Sequence, residues 1–268
     1  RVSPTSSRGS KPVLVAAVSA LALTACVTGP EALPEDPRHE LAGVAFFPQD
    51  THQCGPAALA TVLVTTGVDT TPEQLVPEVY IPARRGSLQL EMLAAARSKG
   101  RIASVLEPGF GSVQAELDAG NPVLVLQDLG ALGIRRWHYA VVIGHDPERE
   151  VLVLRSGTQR RHLEGERYFL RSWQASDNWA ITLTPPGRIP ATATAAAWVR
   201  AIADSERHLP AADLDATYAP PLRRWPDDPL LLFISANREH APGRPPAAAP
   251  SHRRPLPLRH DAVGVEHL

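Results

Sequence analysis

Apolar positions along this chain fall into three regimes. From Pro12 to Leu23 they run almost without interruption, from about residue 43 to 186 they come in short blocks, and beyond 190 they recur at helical spacing among many prolines. In the middle regime Val44-Ala45-Phe46-Phe47 reads as a short strand and Pro48 to Gln53 as a loop. Cys54 to Val64 is apolar on every side, the pattern of a buried helix, and Pro56 suits its first turn because the missing N–H would be unpaired there anyway. Thr71-Pro72-Glu73 starts a second helix, and Ser87 reads as the cap of a third that runs through Met92, Leu93 and Ala96 to Gly100. Arg101–Leu106 is a strand, Ser112–Ala119 a helix stopped by Gly120, and Val123–Leu126 a buried strand. Trp137–Gly144 and Val151–Leu154, joined by His145 to Glu150, predict a hairpin. Residues 166 to 173 follow as a helix, and Trp179–Leu183 closes the sheet. Helices first and antiparallel strands later is the order of an α+β fold.

The outer regimes are different in kind. Arg8 and Lys11, the apolar run and Thr24-Ala25-Cys26 give the charged, apolar and small-residue regions of an export signal over residues 1–25. The run is too short for a membrane span. Residues 26–42, with Pro30, Pro34 and Pro37 among acids, read as an extended tether to a domain at 43–186. After it, Trp198, Val199, Ile202 and Ala203 mark a helix within Ala193–Glu206, Arg223 to Pro229 reads as a helix end, and Leu230–His240 as a further helix. Pro220 and Pro221 fall where a helix should continue, and six prolines after Pro229 exclude a regular one there. Two or three helices are expected over 190–241, then a disordered tail over 242–268.

Composition narrows the partners. With 27 Lys plus Arg against 28 Asp plus Glu the formal charge is -1, so no global field recruits polyanions, and nucleic acid is not expected as a partner. Only Cys26 and Cys54 are available as thiols. His52, Cys54, His145 and His162 show no recognised ligand spacing, so neither a metal nor another cofactor is expected.

Candidate chemistry rests on one thiol and one imidazole. Cys54 opens a helix, where partial positive charge and free N–H groups favour thiolate, which predicts a lowered thiol pKa. His138 begins a strand and shares a face with Ala140 and Val142. Gln49-Asp50-Thr51-His52-Gln53-Cys54-Gly55-Pro56-Ala57-Ala58-Leu59 and Trp137-His138-Tyr139-Ala140-Val141-Val142-Ile143-Gly144 resemble the two signature segments of papain-like bacterial cysteine peptidases, the thirty-ninth cysteine family that processes double-glycine leaders of bacteriocins. The resemblance implies a papain-like fold, hydrolysis of a peptide or protein substrate, Cys54 as nucleophile, His138 as base and Gln49 in the oxyanion hole.

That family supplies an Asp after the histidine strand, where this chain has Leu154-Arg155-Ser156-Gly157. If Pro147 and Glu148 centre the turn, paired positions sum to about 295, so residue 157 lies opposite His138 and Ser156 or its neighbours are within reach of the ring. Asp128 and Asp146 are the alternative orienters. Leu23-Thr24-Ala25-Cys26 resembles the lipobox of bacterial lipoproteins, which implies lipidation of Cys26, and Val27 after it implies the outer membrane facing the periplasm. The helices after 190 resemble a degenerate tetratricopeptide segment, a surface for a protein partner. The competing reading is a catalytically weak or inactive adaptor at the cell envelope.

Overall fold

The computed structural model describes residues 40–49 and 53–239. The signal, Cys26, most of the tether, His52 and the expected tail 242–268 lie outside the described residues. The chain runs through α1 (Cys54–Thr65), α2 (Pro72–Val79), β1 (Tyr80–Ile81), β2 (Gly86–Ser87), α3 (Gln89–Ser98), β3 (Ile102–Val105), α4 (Phe110–Asp118) and β4 (Val123–Asp128). Then come β5 (Trp137–Asp146), β6 (Val151–Ser156), β7 (Gln159–Gly165), α5 (Glu166–Gln174), β8 (Ala180–Thr184), α6 (Ala195–Ser205), α7 (Ala211–Arg224) and α8 (Pro229–Glu239). Helices with an antiparallel sheet make this an α+β fold.

The main sheet has the order β3-β8-β4-β5-β6-β7, every neighbour antiparallel. Period-two alternation gives it two buried faces. Leu124, Leu126, Tyr139, Val141, Ile143 and Val153 pack with Leu59, Val62 and Leu63 of α1, while Val125, Ala140, Val142, Leu152 and Leu154 pack with Phe169 and Trp173 of α5. α1 is wrapped by protein on every side, as its uninterrupted apolar run requires, and the hydroxyl of Thr61 is satisfied inside it by Ala57 O at 2.9 Å. Gly55 has no room for a side chain, because a Cβ there would sit 2.2 Å from Ser87 Oγ. The mouth of α1 is thereby pressed against β2.

The later helices pack on the sheet's β3 edge. Trp198, Ala201 and Ile202 of α6 bury with Ile102 of β3 and Leu209, and Arg97 meets Asp204 at 2.7 Å. Buried Glu116 of α4 accepts from the Thr192 N–H at 2.8 Å and from Asn121 Nδ2 at 2.6 Å, fixing the segment that leads into α6. Among the described residues no helix is long and apolar enough to cross a membrane.

Several local expectations change. Val44–Phe47 forms no strand: β4 stops pairing with β5 at Val123–Val142, and residues 40–41 take the vacated rungs, through the Glu40–Gly144 bridge and the Leu41 N–H to Ile143 O bond of 2.7 Å. Leu88, not Ser87, caps α3, since Ser87 pairs with Tyr80. Trp179–Leu183 does not close the sheet at an edge; β8 inserts between β3 and β4. β7 was not anticipated, because its Gln159–Gly165 carries Arg, His and Glu where a strand signal needs apolar alternation. α7 continues through Pro220 and Pro221 into its last turn, where Trp225 N–H still reaches Pro221 O at 2.8 Å.

Candidate active site

The site forms where two strands part company. The Leu126 N–H donates to Trp179 O on the β8 side, so by alternation the Tyr139 main-chain groups face away from β4, toward β6. β6 pairs with β5 only as far as Val141–Arg155 and then turns off into β7. The Tyr139 N–H and C=O are left facing a notch, and two sequence-predicted residues fill it.

Gln49 enters from one side. Its Nε2 donates to Tyr139 O at 3.3 Å, its Oε1 accepts from the Gly157 N–H at 3.1 Å, and its own N–H donates to Gly157 O at 2.9 Å. The side-chain amide thus replaces a missing rung between β5 and the β6–β7 turn, using one of its two N–H bonds, and among the described residues the other has no partner. Gly157 can present both groups because it holds φ +57° in a two-residue turn, a conformation glycine adopts without penalty.

Cys54 enters from the other side, on the first residue of α1. The main-chain N–H groups of Tyr139, Gly55 and Cys54 itself lie near its sulfur and favour thiolate, but burial outweighs them and pushes the thiol up from its ordinary value. The expected lowering is therefore corrected. A helix terminus supplies N–H groups, but here the same packing that makes α1 a core helix also removes water from its first residue.

His138 precedes Tyr139 and is half-buried. Its Nε2 lies 2.9 Å from Ser156 Oγ, the last residue of β6, so Nδ1 is the ring nitrogen left for chemistry. Burial first, then the neighbouring charges of Arg136 and His162, lower its pKa to about 4. Thiol and imidazole are both neutral near pH 7. If Nε2 carries the proton and donates to Ser156, Nδ1 is the basic nitrogen.

The hairpin register differs slightly from the sequence arithmetic. Four residues form the turn, and a bulge between Val142 and Gly144 shifts the sum from 297 (Asp146–Val151) to 296 (Val141–Arg155). Ser156 consequently reaches His138 on a diagonal. The two other acids are engaged elsewhere: Asp128 accepts from the Gly130 and Arg136 N–H groups at 2.9 and 2.8 Å, and Asp146 holds its own turn through the Glu148 and Arg149 N–H groups, both at 3.1 Å.

Two features were not anticipated. The Tyr139 peptide is the common partner of Gln49 and Cys54, legible only once the unequal lengths of β5 and β6 are known. Below the imidazole, Gln127 lies directly across from His138 and donates to Glu164 Oε1 at 2.8 Å and to Ser172 Oγ at 2.9 Å. His162 Nδ1 lies 2.6 Å from Gln159 Oε1, and His145 Nε2 lies 2.8 Å from Glu166 Oε2.

The profile of the Peptidase_C39 like family matches residues 41–181. Similar solved structures include a protein described as a C39-like peptidase from Bacillus anthracis, 16% identical, with a TM-score of 0.46 over 55% of this chain and 96% of that one. A double glycine motif protease from an AMS/PCAT transporter, solved with its leader peptide, is 20% identical, with a TM-score of 0.42 over 55% and 94%. The peptidase domain of Streptococcus ComA, a bi-functional ABC transporter of a quorum sensing pathway, is 21% identical, with a TM-score of 0.43 over 55% and 98%. No curated protein matches the chain.

Proposed function

The chain belongs to the Peptidase_C39 like family, a family of cysteine peptidase type, and from that membership we propose that it hydrolyses peptide bonds through a thioester on Cys54. The observation that carries this reading is the convergence of Cys54 and Gln49 on the Tyr139 peptide, one residue from His138. In the proposed sequence the thiol gives its proton to His138 Nδ1 as Sγ bonds to the scissile carbonyl carbon. The second N–H of Gln49 Nε2 and the main-chain N–H of Cys54 hold the oxyanion. Collapse breaks the C–N bond, the imidazolium protonates the leaving amine, and water activated by His138 hydrolyses the thioester to restore the thiol. Ser156 orients the ring but adds no charge, so the imidazolium is stabilised less than beside a carboxylate.

Because both groups rest neutral, proton transfer accompanies attack instead of preceding it. A slow peptidase follows. The same observation favours the second reading, a papain-like adaptor that binds an envelope partner without turnover. A peptidyl thiol-reactive probe separates them: the enzyme is labelled at Cys54 faster by the peptidyl probe than by the same reactive group without the peptide, at a rate that falls in His138→Ala, whereas an adaptor labels slowly in both.

The proposal extends to location. Lipidation of Cys26 would hold the domain at the outer membrane facing the periplasm, supported by the Leu23-Thr24-Ala25-Cys26 run at the end of the nearly all-apolar stretch that begins at Pro12. The α6–α8 helices would offer a surface to a protein partner.

A further inference from the structure

The connection between β4 and β5 is a small hairpin built with more care than a surface loop needs. Leu129 N–H donates to Arg136 O at 2.9 Å, and Ile134 N–H to Ala131 O at 3.0 Å. Asp128 anchors its base through the Gly130 and Arg136 N–H groups and lies 3.2 Å from Arg135 Nη1. Gly130 is obligatory, because a Cβ there would meet Ile134 O at 1.9 Å.

What this scaffold presents is apolar. Leu132 and Gly133 form the two-residue tip with φ +55° and +83°, a turn in which Asn-Gly is the favoured pair and a leucine carries backbone strain. Leu132 is 101% exposed, Ile134 is 76% exposed, and nothing lies within 4 Å of where a Gly133 side chain would project. Below them come Arg135, stacked 5.3 Å from the Trp137 ring, and Arg136, which has no acidic partner among the described residues, with Trp137 itself 47% exposed.

From tip to base the order is aliphatic, then cationic and aromatic, over three to five residues or roughly 10 to 15 Å. Bilayer interfaces are arranged in that order: acyl chains within, then the level at which Trp settles and arginine meets lipid phosphate. A convex tip with open space around it fits a fluid phase, which needs no preformed pocket on the other side. We propose that Leu132 and Ile134 insert into an anionic phospholipid surface, with Arg135, Arg136 and Trp137 as the collar at headgroup level. His138 directly follows this collar, so insertion sets the candidate site at the bilayer surface. That consequence alone rests on the proposed catalytic reading; the insertion stands on the hairpin.

The test uses the full chain and phosphatidylethanolamine–phosphatidylglycerol vesicles with brominated acyl chains, which quench nearby tryptophan. The chain has five tryptophans, so the Trp137 contribution is the difference between parent and Trp137→Phe. This readout is local, and other vesicle contacts such as residues 12–26 do not mimic it. Trp137 quenching is expected on these vesicles and weaker on phosphatidylcholine. In Leu132→Asn/Ile134→Thr, which supplies the preferred turn pair and a strand-compatible residue and so preserves the hairpin, insertion should weaken on the order of tenfold. No Trp137-specific quenching, or quenching untouched by the double variant, overturns the proposal. So does loss of peptidyl-probe labelling at Cys54 in the double variant without any quenching in the parent, which would make the hairpin a wall for peptide. Failure of Cys54 labelling with quenching intact would sink the peptidase reading and leave the insertion standing.

Discussion

Ser156 Oγ lies 2.9 Å from His138 Nε2, which places a hydroxyl on the ring nitrogen opposite the one proposed to take the thiol proton. A hydroxyl fixes the tautomer without countering the positive charge that forms on the ring. Ser156→Ala should therefore cost only about 0.5 to 1.5 kcal/mol, roughly a twofold to tenfold loss of turnover. Ser156→Asp should raise turnover and lift the His138 pKa above about 4, readable by NMR titration of the ring. Unchanged titration in the Asp variant would mean that the two side chains do not meet in solution.

Alkylation of Cys54 gives the second prediction. With the thiol pushed above its ordinary value, the rate with iodoacetamide should keep rising through neutrality, with no inflection at acid pH. A plateau reached below neutrality would mean a preformed thiolate–imidazolium pair and would contradict the burial argument.

His138 also makes stability depend on pH. Its pKa is about 4 folded against 6.5 ordinarily, so between these values the unfolded chain binds a proton that the folded chain does not. Stability should fall as pH drops through this window, by up to ~3 kcal/mol from this group. Urea midpoints at about pH 7 and about pH 4.5 should differ less in His138→Gln than in the parent. Equal differences would place the acid sensitivity elsewhere.

Gln49→Ala separates bridging from catalysis. Turnover should fall by about 10² to 10³ if the spare N–H holds the oxyanion. Alkylation of Cys54 by a small reagent that forms no oxyanion should change little. A parallel collapse of both would show that Gln49 only holds the notch between Tyr139 and Gly157 together.

Membrane attachment is tested at Cys26. In a bacterial host, Cys26→Ser should move the protein from the outer-membrane fraction to the soluble periplasm. Retention in the membrane fraction, with the β4–β5 hairpin also substituted, would count against lipidation.

Most elements were readable because each follows from local periodicity: the all-round apolar run of α1, and the alternation of β4, β5 and β6. The candidate residues that the structure brings together lie in two short segments, and the contact of Ser156 with His138 follows from counting across a turn. That count survived an error of one because a diagonal neighbour lies on the same face. The thiol differs from expectation because a sequence shows that a cysteine begins a helix but not how deeply that end is buried. β7 and the tip of the β4–β5 hairpin were missed for opposite reasons. Polar residues concealed a strand held by its neighbours, and the exposed apolar ones sit in a connection where no core periodicity points to them.

The insertion of β8 between β3 and β4 has a kinetic consequence. The strand that joins the first half of the sheet to the second is the last to be synthesised, and its partners Ile102–Val105 and Leu124–Val125 wait for residues some 55 to 80 positions downstream. Until then β3 has no strand beside it, and the β4 side toward Trp179 is bare. Such long-range pairings slow folding, because loop closure must be met before the contacts form. The hairpins β4–β5–β6–β7 and helix α1 can assemble earlier from nearer partners. A chain cut before residue 180 would therefore keep every candidate catalytic residue and still lack the strand that unites its sheet.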